Sequence, residues 1–171
     1  IAEAVADADA VFLCVPVGAM REAGAASIAA MKPGATLTDV GSVKGSVSKE
    51  LRAVGQPGVH IIPGHPIAGT EKSGPDAGFA SLFEGRWCIL TPEAGGDADY
   101  KAASDQLAAF WERLGSKVER MDAQRHDLVR EQFDATVRMS QYPPVEEFVE
   151  QQFRSTAAIE AEARFLADLP S

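Results

Sequence analysis

One short stretch of this sequence, residues 61–74, places a histidine where it could take up a proton. An apolar run ends at Gly64, and His65 follows at once, between that glycine and Pro66. Proline fixes its own φ and restricts the residue before it, so we expect His65 to be extended. Imidazole titrates near neutral pH and can serve there as a base or a donor. The spacing alone leaves open a plain loop histidine bonded to a backbone carbonyl.

A second stretch, residues 39–45, could meet His65 at the edge of a sheet. It overlaps the end of a short predicted strand, residues 36–40, and has the sequence DVGSVKG. Ligands of open parallel sheets bind beyond the carboxyl ends of the strands, so Ser42 and His65 converge on one cleft if their strands are adjacent. Gly41 would let the backbone pass close to a ligand. Residues 42–45 would lie at a helix N-terminus, whose free N–H groups favour an anion or a carboxamide.

Ordinary structural roles compete for the other polar residues of these loops. Ser42 could be a plain N-cap, and Asp39 a turn or capping carboxylate. For Lys44, taken by itself, the favoured interpretation is a solvated lysine on the surface. Thr70 and Glu71 could cap their own loop rather than contact a substrate.

For the two remaining histidines, a structural role is the favoured interpretation. His60 opens an apolar strand, and His126 precedes Asp127 near the start of a helix. The three histidines lie far apart in the sequence and the cysteines are isolated, so no cluster has metal-ligand spacing. The sequence has no Gly-x-Ser-x-Gly elbow and no phosphate-binding loop. With these kinds of site excluded, the sequence favours acid–base or redox chemistry at a sheet edge.

The elements that must position these loops alternate between strand and helix. Continuous apolar runs with β-branched residues predict strands buried on both faces, as in a parallel sheet. Helical periodicity and Gly- or Pro-containing turns separate these runs. Strands are predicted at residues 11–17, 36–40, 59–63, 87–92 and 117–121, and helices at 19–31, 42–54 and 97–114. This order predicts an α/β fold with a parallel sheet.

The character of the sequence changes near residue 121. Residues 122–139 are charged and helical, the QYPP of residues 141–144 breaks the pattern, and residues 145–169 resume as a helix rich in Glu, Gln and Ala. We therefore predict one domain over residues 1–121 and a helical segment over residues 122–171.

Composition narrows the class of protein. The chain has 171 residues, 46% of them hydrophobic, and a formal net charge of −9. That is enough apolar material for a core, and no basic stripe is present to attract nucleic acid or an anionic membrane. No apolar run approaches the length of a membrane helix. Cys14 and Cys88 are interpreted as small buried hydrophobes, which fits a reducing cytosol, and no charged-then-apolar leader opens the sequence.

Four motifs taken together resemble the prephenate/arogenate dehydrogenase family of tyrosine biosynthesis, over about residues 3–129. They are AVFLCVPV at residues 10–17, TDVGSVKG at 38–45, GHPIAGTEKSG at 64–74 and ILTP at 89–92. The resemblance implies oxidation of prephenate or arogenate with NAD⁺ or NADP⁺. Hydride leaves the ring carbon that carries the hydroxyl, CO₂ is lost and the ring becomes aromatic. It also implies a cytoplasmic protein in which a Rossmann domain is joined to a helical dimerisation domain, so that the full-length family forms homodimers.

The same resemblance assigns roles to matching residues. His65 stands at the family's catalytic histidine, which accepts a hydrogen bond from the ring hydroxyl and takes its proton. Ser42 matches the serine that contacts that hydroxyl and the nicotinamide side, so it counts as catalytic, substrate-binding and cofactor-binding. The remaining residues implied to flank the cofactor are Val15, Pro16, Val17, Asp39, Val40 and Gly41. The remaining residues implied to bind substrate are Lys44, Thr70 and Glu71.

Two parts of the family pattern do not occur in this sequence. The Gly-x-Gly-x-x-Gly turn, which holds the pyrophosphate, is expected before residue 1. The expected fold is therefore the second half of a Rossmann-type parallel sheet followed by a partial or atypical helical segment. After residue 129 a Ser-His-x-Pro-His-like helix and arginines for the substrate carboxylates are expected, but residues 130–171 do not match them. No carboxylate-binding arginine can be assigned, and the residue that separates NAD from NADP would lie in the missing half.

Two rival interpretations remain. Another Rossmann hydroxyacid dehydrogenase would usually rely on a lysine base in its helical domain, and the Gly64-His65-Pro66 motif argues against it. A non-catalytic remnant would only bind or dimerise through residues 122–169. Assays of cofactor binding and prephenate oxidation separate these interpretations.

Overall fold

The computed structural model describes residues 1–69 and 78–139. The chain divides into two compact units, Ile1–Asp127 and Leu128–Ser171. The first unit contains the strands and both loops of interest. The second unit begins within helix α5 (Ala123–Met139). The predicted helix at residues 145–169 lies outside the described residues, and the domain roles assigned from the sequence stay predictions.

A parallel three-stranded sheet forms the first half of the first unit. Its strands are β1 (Ala10–Leu13), β2 (Thr36–Asp39) and β3 (His60–Ile61), in the order β1-β2-β3. Helix α1 (Ala2–Val5) precedes β1, a 3₁₀ turn (Val17–Ala19) and α2 (Met20–Ile28) follow it, and α3 (Gly45–Arg52) follows β2. The buried side chains between these elements include Leu13, Met20, Ile28, Leu37, Val47 and Leu51.

Helices α2 and α3 pack closely because Gly24 has no side chain. A Cβ at Gly24 would lie 2.6 Å from Cδ2 of Leu51. A larger residue at Gly24 would force the side chain of Leu51 to move. Glycine at this position therefore allows Leu51 of α3 to pack directly on the backbone of α2.

A second three-stranded sheet contains β4 (Gly64–Pro66), β5 (Trp87–Leu90) and β6 (Lys117–Arg120). Strand β4 runs antiparallel to β5, and β5 runs parallel to β6. Helix α4 (Ala98–Arg113) begins after Asp97, whose carboxylate accepts the N–H of Tyr100 at 2.8 Å, and so forms an N-cap. The core of this half includes Ile62, Cys88, Leu90, Leu107 and Trp111.

The chain passes from the first sheet to the second within two residues. The N–H of Ile62 donates to the carbonyl of Leu37 at 2.9 Å, and the N–H of Thr91 donates to the carbonyl of Pro63 at 2.8 Å. Pro63 has no N–H to continue the first ladder, so the ladder ends there. Strand β4, with His65 as its second residue, consequently begins next to the carboxyl end of β2.

The α/β fold with a parallel three-stranded sheet is confirmed, and three details of the prediction are wrong. Residues 64–66 were treated as the start of a loop but form an antiparallel strand, in which Pro66 is tolerated because β4 lies at a sheet edge. Strand β1 ends at Leu13, so Cys14 lies beyond it and is exposed. Helix α3 begins at Gly45, three residues later than predicted.

The buried setting of Cys88 is confirmed. Its side chain has no exposed surface, and burial raises the pKa of its thiol to about 12. It packs as a small apolar residue in the core of the second half. No helix in residues 1–69 and 78–139 is long and apolar enough to cross a membrane.

Candidate active site

A buried ion pair ties the β2–α3 loop to the start of β4. The ammonium of Lys44 donates to Oδ2 of Asp39 and, at 2.7 Å, to the carbonyl of Gly64. The Asp39 carboxylate also accepts the N–H of Gly41 at 2.8 Å and the N–H of Gly64 at 3.3 Å. Both charged side chains are completely buried. We call Asp39, Lys44 and Gly64 the lysine clamp.

The clamp corrects the interpretation of Lys44 as a solvated surface residue. Its side chain is 0% exposed. Burial lowers its pKa, and the charge of Asp39 and the hydrogen bond to it oppose that shift only in part. The sequence shows a lysine in a loop but not the carboxylate and carbonyl that receive it. Lys44 therefore acts on the site through its hydrogen bond to Gly64, the residue before His65. A direct contact between Lys44 and substrate stays a prediction.

Asp39 takes the turn-capping role that the sequence left open. Its carboxylate is enclosed by Lys44 and by the N–H groups of Gly41 and Gly64. A Cβ at Gly41 would lie 3.0 Å from Oδ2 of Asp39, so glycine lets the loop fold tightly over the carboxylate. Its place beside a cofactor stays a prediction.

His65 lies half-buried on β4, opposite Ile89 of β5. Its Nδ1 is 2.9 Å from Nε2 of His126. The two rings meet edge to face, with centroids 5.1 Å apart and an interplanar angle of 71°. Nδ1 of His126 is in turn 2.9 Å from Oδ1 of Asp127. We call His65, His126 and Asp127 the histidine chain.

Asp127 connects the histidine chain to helix α3. Its Oδ1 accepts the N–H of Lys44 and its Oδ2 accepts the N–H of Gly45, each at 2.8 Å. Burial raises the pKa of Asp127, but these two N–H groups and His126 outweigh burial, so the pKa lies below its ordinary value. Asp127 is therefore a carboxylate at neutral pH.

The same contacts correct the expectation of free N–H groups at residues 42–45. The N-terminus of α3 does hold an anion, but the anion is the side chain of Asp127. Ser42 is not its N-cap, because the helix begins at Gly45 with Lys44 in the cap position. Ser42 is exposed in the β2–α3 loop.

The carboxyl edge of β1 presents a small, uncharged surface. Val15 is half-buried, Pro16 and Val17 are exposed, and a Cβ added at Gly18 would meet no atom within 4 Å. Val40 lies half-buried at the end of β2. The cofactor contacts assigned to these residues from the sequence stay predictions.

His126 and Asp127 are the residues that sequence reasoning missed. His126 was interpreted as structural, yet its side chain, 4% exposed, contacts the candidate base across 61 positions of sequence. The available signal was an adjacent His-Asp pair near the start of α5, the helix that follows β6. The structural role of His60 is supported, since its ring packs edge to face on Tyr100 with centroids 6.0 Å apart. Thr70 and Glu71 lie outside the described residues.

Within residues 1–69 and 78–139, no group of three or more His, Cys, Asp or Glu side chains is arranged to hold a metal ion. The polar groups near His65 are instead joined to one another by hydrogen bonds.

Comparison with known proteins decides the family. A family model described as "Prephenate dehydrogenase, nucleotide-binding domain" matches residues 2–120. The chain belongs to the prephenate dehydrogenase family. The match includes the β2–α3 loop and β4, so the family resemblance of these motifs is confirmed, whereas His126 and Asp127 lie just beyond the matched residues.

Relatives in the prephenate dehydrogenase family are longer than this chain. It is 46% identical over 129 residues to a cyclohexadienyl dehydrogenase of Zymomonas mobilis, covering 75% of this chain and 43% of that protein. It is 31% identical over 142 residues to a prephenate dehydrogenase of Lactococcus lactis, covering 81% and 35%. The chain therefore spans less than half the length of these curated relatives.

Solved structures of the prephenate dehydrogenase family share the fold. The Aquifex aeolicus prephenate dehydrogenase, in complex with hydroxyphenyl propionate and NAD⁺, is 29% identical with a TM-score of 0.62, over 94% of this chain and 67% of that chain. An arogenate dehydrogenase of Synechocystis, 24% identical, has a TM-score of 0.66 over 90% and 56%.

Proposed function

We propose that this chain is part of a dehydrogenase that oxidises prephenate or arogenate with NAD⁺ or NADP⁺, with His65 as the base. The observation that carries the proposal is the position of His65 on β4. The lysine clamp fixes the backbone just before it, and the histidine chain holds its Nδ1. Both supports end at the β2–α3 loop, which carries the exposed Ser42. A half-buried imidazole held at two points suits proton transfer to a positioned substrate.

The proposed reaction needs one base and good alignment. His65 accepts a hydrogen bond from the ring hydroxyl and takes its proton as the C–H bond of the same carbon is lost. The nicotinamide cofactor supplies the hydride acceptor when bound. The carbon–oxygen double bond that forms allows the ring carboxylate to leave as CO₂, and the electron pair it leaves behind makes the ring aromatic. The chain's main task is to orient the hydroxyl and exclude water.

The other proposed contacts follow the sequence resemblance. Val15, Pro16 and Val17 would border the cofactor from β1, and Val40 and Gly41 from β2. Ser42 would donate to the hydroxyl from the nicotinamide side. The remaining proposed substrate neighbours, by resemblance alone, are Lys44, Thr70 and Glu71.

The architecture of the whole protein is also a proposal. The described sheet would be the second half of a Rossmann domain, because the family's glycine-rich turn is expected before residue 1. The relative from Aquifex aeolicus was solved with NAD⁺ and hydroxyphenyl propionate, which supports a nicotinamide cofactor and a small ring substrate here. We propose a cytoplasmic homodimer for the full-length protein.

A substitution series in the natural full-length protein tests the function. Prephenate and arogenate are each assayed with NAD⁺ and with NADP⁺. His65→Asn should lower kcat on the order of 10²–10⁴-fold, as expected for loss of a general base, with little change in cofactor dissociation constant. His60→Asn is the matched control, because His60 packs on Tyr100 away from the proposed chemistry. It should leave kcat close to wild type.

Two results would overturn the proposal. Unchanged turnover in His65→Asn would remove His65 from the base role. A folded wild-type protein that neither binds a nicotinamide cofactor nor oxidises either substrate would favour a non-catalytic remnant. Titration of the 171-residue chain with each cofactor shows separately how much binding it retains alone.

A further inference from the structure

We infer that His126 and Asp127 are positioning residues, which fix His65 in the tautomer that carries its lone pair on Nε2. The use of that lone pair as a base rests on the proposed function. The tautomer itself rests on the geometry of the histidine chain, so the two can fail separately. Neither residue lies within the family match at residues 2–120.

The chain of donors and acceptors begins at Asp127, which is a carboxylate and so can only accept hydrogen bonds. Its two oxygens receive the N–H groups of Lys44 and Gly45, each at 2.8 Å. These backbone donors cannot reverse their direction. The carboxylate is therefore held in place at the N-terminus of α3, which further favours its negative charge.

The state of His126 follows from that of Asp127. Nδ1 of His126 lies 2.9 Å from Oδ1 of Asp127 and must donate, since the carboxylate only accepts. In the neutral state that we infer for His126, the other nitrogen is then an acceptor. His126 thus offers the lone pair of its Nε2 to the neighbouring ring. Its side chain is 4% exposed, so water competes poorly for this position.

The state of His65 is set in the same way. Its Nδ1 lies 2.9 Å from Nε2 of His126 and must donate to that lone pair. Neutral His65 consequently carries its hydrogen on Nδ1 and its lone pair on Nε2. Nε2 is therefore the atom that can take a proton from a hydroxyl group. The edge-to-face arrangement of the two rings also restricts rotation of His65.

The arrangement further stabilises the protonated state. When Nε2 of His65 gains a proton, the ring becomes an imidazolium that still donates from Nδ1 to His126. The positive charge lies two hydrogen bonds from the Asp127 carboxylate, and Asp127 stays ionised throughout. A carboxylate that orients a histidine and stabilises its charged form acts in the same way in hydrolase triads. Here a second imidazole stands between the two.

Nitrogen NMR tests the tautomer directly and requires no turnover. The chain has three histidines, so His60→Phe and His126→Phe variants suffice to assign the ¹⁵N-labelled imidazole signals. In the wild type at neutral pH, His65 should show a protonated Nδ1 and an unprotonated Nε2. In His126→Phe this preference should weaken or reverse. A wild-type His65 protonated on Nε2, or a pattern unchanged in His126→Phe, overturns the inference.

Kinetics of the full-length protein test the consequence. His126→Phe keeps an aromatic ring and removes both nitrogens, and we expect kcat to fall on the order of 100-fold with KM changed little. His60→Phe is the matched control and should stay near wild type. Equal small effects of the two variants on kcat would overturn the positioning role. If the wild type has no turnover, the proposed function fails, and the NMR experiment still decides the inference. The wild-type spectrum also decides it if His126→Phe does not fold.

Discussion

The lysine clamp and the histidine chain share the β2–α3 loop but differ in how they meet solvent. In the clamp, Asp39 and Lys44 are both 0% exposed, and each charged group is bonded to the other and to backbone. The histidine chain starts from an equally fixed carboxylate, Asp127, but extends outward to a half-buried ring on β4. The lysine clamp is fully buried and bonded internally. The histidine chain connects backbone N–H groups of α3 to an imidazole that can exchange a proton.

The two networks at this loop therefore have different roles: the lysine clamp serves stability, and the histidine chain serves chemistry. The buried pair of Asp39 and Lys44 matters for stability mainly because the loss of one partner would leave the other charge buried and uncompensated. A chain that ends at a partly exposed imidazole can set the state of that imidazole. Lys44 belongs to both networks, because its Nζ binds Gly64 and its N–H binds Asp127. It therefore links the backbone before His65 to the carboxylate of Asp127.

The largest expected effect on stability comes from opening the clamp. Lys44→Met should lower the free energy of unfolding by roughly 3–5 kcal/mol, because it leaves the Asp39 carboxylate buried without its partner. Urea denaturation measures the loss. Lys49→Met is the matched control, since Lys49 lies exposed on the same helix. Similar small losses in both variants would show that the clamp does not hold the fold.

A smaller loss of stability, coupled to a loss of turnover, is expected for Asp127. Asp127→Ala leaves two N–H groups of α3 without their acceptor and should cost about 1–2 kcal/mol, as for an N-cap. Asp97→Ala removes the comparable cap of α4 and should cost a similar amount. Only Asp127→Ala should also lower kcat of the full-length protein. If both variants, or neither, lose turnover, Asp127 has no special link to His65.

The smallest expected effect is a pH dependence of stability. The folded pKa of Asp127 lies below its unfolded value of about 3.8, so its contribution is present above that value and is lost as pH falls through the folded pKa. The difference in unfolding free energy between wild type and Asp127→Ala should therefore be constant from about pH 7 to 5 and shrink below about pH 4. Urea denaturation at each pH measures it. A difference that grows on acidification would contradict the assignment.

Local patterns in the sequence predicted the repeating elements of the fold. An apolar run located β1, a short strand pattern closed by Gly41 located β2, and an amphipathic helical pattern beginning at Asp97 located α4. The strand at residues 64–66 was missed because a three-residue strand has too few positions to show alternation. Its pairing depends on β5, more than 20 residues away.

The site was predictable only where function lies in contiguous motifs. The stretches around Ser42 and His65 could be found from the sequence, because each follows a strand end. The burial of Lys44 and the contact between His65 and His126 could not, since each depends on partners brought together by the tertiary fold. The meaning of the His126-Asp127 pair appears only through its contacts with His65, Lys44 and Gly45.

A double-mutant cycle on kcat tests most directly whether the histidine chain acts as one unit. The full-length protein is assayed as wild type, His65→Asn, His126→Phe and the combination of both. If His126 acts through His65, its substitution has nothing left to disturb once His65 is replaced, so the double variant should match His65→Asn. Losses that multiply in the double variant would show that His126 acts independently of His65 and would contradict the account.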